Sequence, residues 1–230
     1  MKSVKKAIVA ALCAGTLVVG SVAGTMAYLT STDEVVNTFT VGNVAITLDE
    51  AKVNTAGYPI DENNDKVELS SAPRVKENTY KLVPGHSYTK DPIVHVDEDS
   101  EDCYLFVKVE NGIADIEAAS VQNGYQSIVN QIITNGWIAL DGVEDVYYRD
   151  ANTETAAKGY TVFGNFAIAG DGVVGGNKPA DYNGNDKYIS DYTSSKIKVT
   201  AYAVQKDGFN TANDAWNATF GKSLTNSEAE

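Results

Sequence analysis

His86 and His95 are the only two histidines in the 230 residues, and they stand too far apart to form a zinc pair on one helical face. No His-Glu-x-x-His stretch occurs, so a zinc protease of that kind lacks its ligands. A Gly-x-Ser-x-Gly nucleophile elbow and a phosphate-cradling glycine loop are absent as well. Both histidines fall in strand or turn contexts, where ordinary hydrogen bonding accounts for them. Cys103 opens a strand pattern on the same face as Leu105 and reads as a core residue, since a reactive thiol needs a histidine or helix terminus beside it.

Two stretches carry oxygen donors at spacings that suit calcium. "DENND" offers Asp61, Asn63 and Asp65 at alternate positions, as at the start of an EF-hand loop. Lys66 then stands where glycine is needed and Ala72 where the closing glutamate belongs. "DYNGND" offers Asp181, Asn183 and Asn185, again without a closing acid. Asp, Asn and Gly runs of this sort commonly make plain turns, so the expectation is no metal and no cofactor, with these two loops as weak calcium candidates. The run Asp97–Asp102 reads as a solvated loop between strands.

The elements around these residues are mostly short strands. "VAITL" sets Val44, Ile46 and Leu48 on one face, and Phe39 and Val41 begin the same alternation before a bulge at Gly42. Pro84 and Gly85 make a turn, and Pro92 starts the strand "IVHV". In "CYLFVKVE" the residues Cys103, Leu105, Val107 and Val109 face one side and Tyr104, Phe106, Lys108 and Glu110 the other, the pattern of a half-buried antiparallel strand. "DVYYR", "GYTVFGNFAI" and "KIKVTAYAVQ" continue the theme. Two helices interrupt it. Ile128, Val129, Ile132 and Ile133 recur at helical spacing before Gly136, and Thr211 with Asp214 opens a second helix bearing Trp216 and Phe220. The expected fold is all-β with minor α, a jelly-roll-like sandwich of two antiparallel sheets with one or two short surface helices.

Lys2, Lys5 and Lys6 precede an apolar run from Ala7 to Val19, closed by small residues at Thr25–Ala27, which is the layout of a secretory signal peptide cut between Ala27 and Tyr28. The rival reading, an uncleaved membrane helix, is weakened by Gly15, Gly20 and Gly24. Cys13 lies mid-run behind bulky Leu12, unlike a lipoprotein anchor. Cleavage removes those three of the 18 basic residues and none of the 31 acidic ones, taking the net charge from −13 to −16. Such a surface suits neither nucleic acid nor anionic lipid. It leaves Cys103 alone, so no internal disulfide is available. The expected organisation is a signal peptide over 1–27, an extended segment over 28–41 and one domain over 42–230.

Three stretches, "GTMAYLTSTDEVVNTFTVGNV", "LVPGHSYTKDPIVHV" with "DCYLFVKVENG", and "KVTAYAVQKDGFNTANDAW", resemble the TasA/camelysin family of exported proteins. The resemblance implies processing at Ala27 by an ER-type signal peptidase, a jelly-roll subunit and a place in extracellular biofilm fibres. In fibre-forming members the new N-terminal segment completes a sheet of the next subunit, a donor-strand exchange. Here Tyr28, Leu29, Val35, Val36, Phe39 and Val41 supply the apolar anchors. Partners are then copies of this chain or related matrix subunits, with signal peptidase during export and the membrane only through the uncleaved leader. Camelysin-like members have been classed as metalloproteases, and the missing zinc motif argues against carrying that activity over, so no enzyme is expected. A fold-back of Tyr28–Phe39 on its own domain is the alternative to exchange. A monomeric adhesin or carbohydrate binder using Tyr147, Tyr148, Tyr182, Tyr188 and Tyr192 is the alternative function, although strand neighbours Tyr147 and Tyr148 must point to opposite faces.

Overall fold

The computed structural model describes residues 30–33, 44–118, 125–152 and 159–221. In chain order the strands are β1 (Thr30–Asp33), β2 (Ile46–Ala51), β3 (Arg74–Val75), β4 (Ser87–Thr89), β5 (Ile93–Val96), β6 (Cys103–Asn111) and β7 (Ile138–Ala139). They continue as β8 (Val146–Ala151), β9 (Tyr160–Thr161), β10 (Asn165–Ala167), β11 (Val173–Val174), β12 (Lys187–Tyr188) and β13 (Ile197–Gln205). Two α-helices join them, α1 (Ile128–Thr134) and α2 (Ala212–Thr219). The expected class, all-β with minor α in antiparallel sheets, is therefore present.

A five-stranded antiparallel sheet has the order β1-β13-β6-β8-β7, and a four-stranded one the order β3-β2-β5-β9. The long strands β6 and β13 pair over nine residues, from Ile197 opposite Asn111 to Gln205 opposite Cys103. Both are rich in the β-branched and aromatic residues that fit a pleated surface. β4 pairs with β10, and β11 runs parallel to β12. Leu105, Val107, Ala201 and Ala203 of the larger sheet meet Ile46, Val94 and Tyr160 of the smaller in one core. Burying this apolar surface is the main stabilising term at roughly 25 cal/mol per Å².

Two sequence expectations need correction. β6 is not half-buried: Tyr104 and Phe106, expected on a solvent face, are 5% and 0% exposed. Helix α2 covers that face, setting Trp216 and Ala215 against Phe106 and Val204. Likewise α1 buries only Ile128 and Ile132, while Val129 and Ile133 stay about half exposed at 48% and 49%. The helix is only seven residues long and touches the core along one narrow stripe.

Local signals worked where the backbone itself is constrained. The Thr211 hydroxyl accepts a hydrogen bond from Asp214 N at 3.1 Å, capping α2. Gly136 follows α1 at φ +86°, the left-handed conformation that ends helices. Gly57 has φ +79°, and a Cβ there would lie 2.7 Å from Tyr88 Cα, so glycine alone lets the loop approach β4.

The start of α1 rests on a carboxylate. Glu117 Oε1 accepts from Ile128 N at 2.6 Å and Oε2 from Asn111 Nδ2 at 2.9 Å. Burial pushes the Glu117 carboxyl above its ordinary 4.5, and these two hydrogen bonds oppose the shift only in part. A raised folded pKa means stability present below 4.5 and lost as pH rises through the folded value. The wild type is therefore expected to lose stability relative to Glu117→Gln over that rise and to hold a constant difference above it, as read from urea midpoints across a pH series.

Candidate functional site

β13 is the strand that could receive a partner. β1 of the same chain lies along its outer edge in antiparallel register, Thr30 opposite Val204, Ser31 opposite Ala203, Thr32 opposite Tyr202 and Asp33 opposite Ala201, so these four residues take the folded-back arrangement. The described pairing on this edge thus spans the C-terminal half of β13. Beside the other half opens a groove of about 980 Å³, with Ile197 and Val199 on one wall and Leu48 of β2 on the other. Tyr80, Leu82, Ile189 and Tyr192 also line it and, with Leu48, Ile197 and Val199, are half-buried against the core. An apolar slot between two sheets is a place where an added strand can bury alternate side chains.

Lys76, Lys81, Lys196 and Lys198 surround the groove. With Lys90 they make five lysines against Asp49, Glu50 and Glu77 in the same lining, a mixed set with a small positive excess in a chain of net charge −13.

Asp49, Glu50, Asn78 and Lys90 of the groove lining belong to a polar network that extends to Arg74 and Asp91. Arg74 Nε donates to Asp49 Oδ1 and its Nη1 to Asp91 Oδ2, both at 2.7 Å. Lys90 Nζ meets Glu50 Oε2 at 2.5 Å, and Asn78 Nδ2 donates to Glu50 Oε1 at 2.9 Å. Burial, and then the Glu50 and Asp91 carboxylates, hold the Tyr80 hydroxyl protonated well beyond the usual phenol range. Sequence reading found none of this, because β2, the segment before β4 and the turn before β5 contribute one or two residues each and no short spacing links them.

Of the anticipated residues, Ala27, Tyr28, Leu29, Val35, Val36, Phe39 and Val41 lie outside the described residues. Asp61 Oδ1 accepts from Asn63 N and from Asp65 N, both at 2.9 Å, which makes "DENND" a side-chain-closed turn. Asp181, Asn183 and Asn185 are exposed in a separate loop. Among the described residues no three His, Cys, Asp or Glu side chains converge as a metal-holding group. His86 Nε2 lies 3.0 Å from Ala56 O, and His95 Nε2 lies 3.1 Å from Asp49 Oδ1. Cys103 is fully buried, and burial, with Asp102 and Asp150 nearby, pushes its thiol up to about 12, far from a reactive thiolate.

The five tyrosines are scattered. Tyr147 is in the main core, Tyr148 packs on the opposite face with the α2 cluster, and Tyr192 lines the groove. Tyr182, in the loop before β12, meets Tyr188 of β12 edge to face at 5.0 Å. No single stacking platform holds all five.

No protein-family model, curated protein or solved structure matches the chain.

Proposed function

We propose that this chain is an exported, non-enzymatic structural protein of the extracellular or biofilm matrix, a jelly-roll-like sandwich that assembles by adding the Tyr28–Val41 segment of one subunit to the β13 edge of the next. What supports the reading is that Thr30–Asp33 adds as a strand to the β13 edge, here folded back within its own chain, next to a groove between the sheets; exchange would place the same register on a neighbouring subunit. The resemblance of three sequence stretches, the end of the leader among them, to the TasA/camelysin family points the same way.

Were a donor from a neighbouring subunit to keep the register of Thr30–Asp33 beyond its last described pair, Glu34 would come opposite Thr200, Val35 opposite Val199, Val36 opposite Lys198 and Asn37 opposite Ile197. Directly opposed residues share a face. In that arrangement Val35 would share a face with Val199, which lines the groove, and the two-residue period would bring Phe39 and Val41 to the same side. Glu34 becomes the diagonal neighbour of Lys198, an attractive pair that helps fix register.

The test compares two purified forms, beginning at Tyr28 and at Gly42, by sedimentation and negative-stain microscopy over a concentration series. Filaments from the longer form only, with the shorter form a folded monomer, are expected. Folded monomers from both, or filaments from both, would refute strand addition through this segment.

A further inference from the structure

Lys90, Glu50 and Asn78 form a constellation that an ordinary ion pair does not need. Lys90 Nζ contacts Glu50 Oε2 at 2.5 Å, while Asn78 Nδ2 donates to the other oxygen of the same carboxylate at 2.9 Å. One carboxylate therefore binds an amine through one oxygen and a carboxamide through the other. The Lys90 and Glu50 side chains are 12% and 5% exposed. The Asn78 carboxamide is also fixed at its far end, where Oδ1 accepts from Val53 N at 2.9 Å and Nδ2 donates a second bond to Ala51 O at 2.9 Å.

We propose that Lys90 and Asn78 close an intramolecular amide bond, with Glu50 carrying the protons. Amides resist amines in water because the amine is protonated, charge develops on the carbonyl oxygen and the nitrogen leaves poorly. Each obstacle has a residue placed against it. Glu50 Oε2 takes a proton from the Lys90 ammonium, freeing its lone pair as a nucleophile. The Val53 N–H faces the Asn78 oxygen that becomes negative on attack at Cγ. Glu50 Oε1 lies against the nitrogen that must leave, and returns the proton to it.

The Nζ–Cγ bond forms and the Cγ–Nδ2 bond breaks. The second proton on Nζ follows through Glu50, and one ammonium ion departs with the charge Lys90 held. The carboxylate is regenerated, and no oxidant or reductant enters.

The bond would close the loop from Asn78 to Lys90 around β4 and pin it to β2 through the Glu50 contacts. A chain with a single cysteine in its described residues has no disulfide to serve that purpose. This inference stands apart from strand addition, since it needs only the isolated folded chain.

Tryptic mass spectrometry of the folded full-length chain tests it. The expected product joins the peptide Glu77–Lys81 to the peptide Leu82–Lys108, uncut at Lys90 and lighter than the two together by one ammonia. Glu50→Gln and Lys90→Arg, checked for folding by circular dichroism, should give no joined product and melt at lower temperature than the wild type. Separate peptides cut at Lys90, from folded wild-type chain of full sequence mass, would overturn the proposal and leave a plain ion pair. Because that result is read on the wild type, it holds even where a variant fails to fold. A joined product from Glu50→Gln at the wild-type level would overturn the role of Glu50.

Discussion

Trp216→Ala is expected to destabilise the fold by about 3–5 kcal/mol, the range for deleting a buried tryptophan side chain, and to release α2 from the sheet. Trp216 is 1% exposed, and its ring lies 5.1 Å from Phe106, 4.8 Å from Phe220 and 5.5 Å from Tyr202. Helix α2 has eight residues, too few to persist without a packed face. With the indole gone, the Thr211 cap has no helix to stabilise, and Phe106 and Tyr104 lose their cover. Urea unfolding monitored by circular dichroism gives the stability change, and hydrogen exchange of the α2 amides tests the release. A loss under about 1 kcal/mol would mean that the cluster collapses to fill the space.

Arg74→Ala is expected to lower stability by about 2–3 kcal/mol, with Arg74→Lys recovering less than half of it. The guanidinium bonds both carboxylates, and its Nη2 also donates to the carbonyls of Asp49 and Asp91 at 3.0 and 3.1 Å. It thereby ties β2, β3 and the turn before β5 together. The Asp91 side chain is 8% exposed, so removing the cation leaves a buried carboxylate whose Oδ1 keeps only the Ala51 N–H at 2.7 Å. Breaking a fully buried pair costs about 3–5 kcal/mol, and the figure here is lower because the Arg74 side chain is 31% exposed. Lysine keeps the charge but cannot reproduce a planar fork that reaches two carboxylates and two carbonyls. Chemical denaturation of the three proteins decides it, and equal stability of Lys and Arg at this position would show that charge alone matters.

The strands were legible wherever a residue's neighbours in sequence are also its constraints. Alternation in "CYLFVKVE" and "KIKVTAYAVQ" gave β6 and β13, and Pro92, Gly136 and Thr211 marked ends that the backbone obeys. The inner face of β6 was readable because Leu105 and Val107 are apolar at period two. Its outer face was misread because Lys108 and Glu110 suggested solvent, while the cover comes from a helix more than a hundred residues later. The four apolar positions of α1 overstated its buried face for a related reason: periodicity shows which residues share a side, not how wide the contact is.

By itself the sequence determined the strand-rich composition, the helix caps and glycine ends, the absence of familiar zinc and serine-nucleophile motifs, and the burial of Cys103. All of these follow from local backbone preference and from the hydrophobic period, which act between near neighbours. Only the tertiary structure decided that β1 lies on the β13 edge, that a groove lined by apolar side chains, lysines and carboxylates opens beside it, and that Asn78 and Lys90 both bond Glu50. Those arrangements join residues tens to more than a hundred and fifty positions apart, and their geometry is set by how two sheets pack rather than by any spacing along the chain.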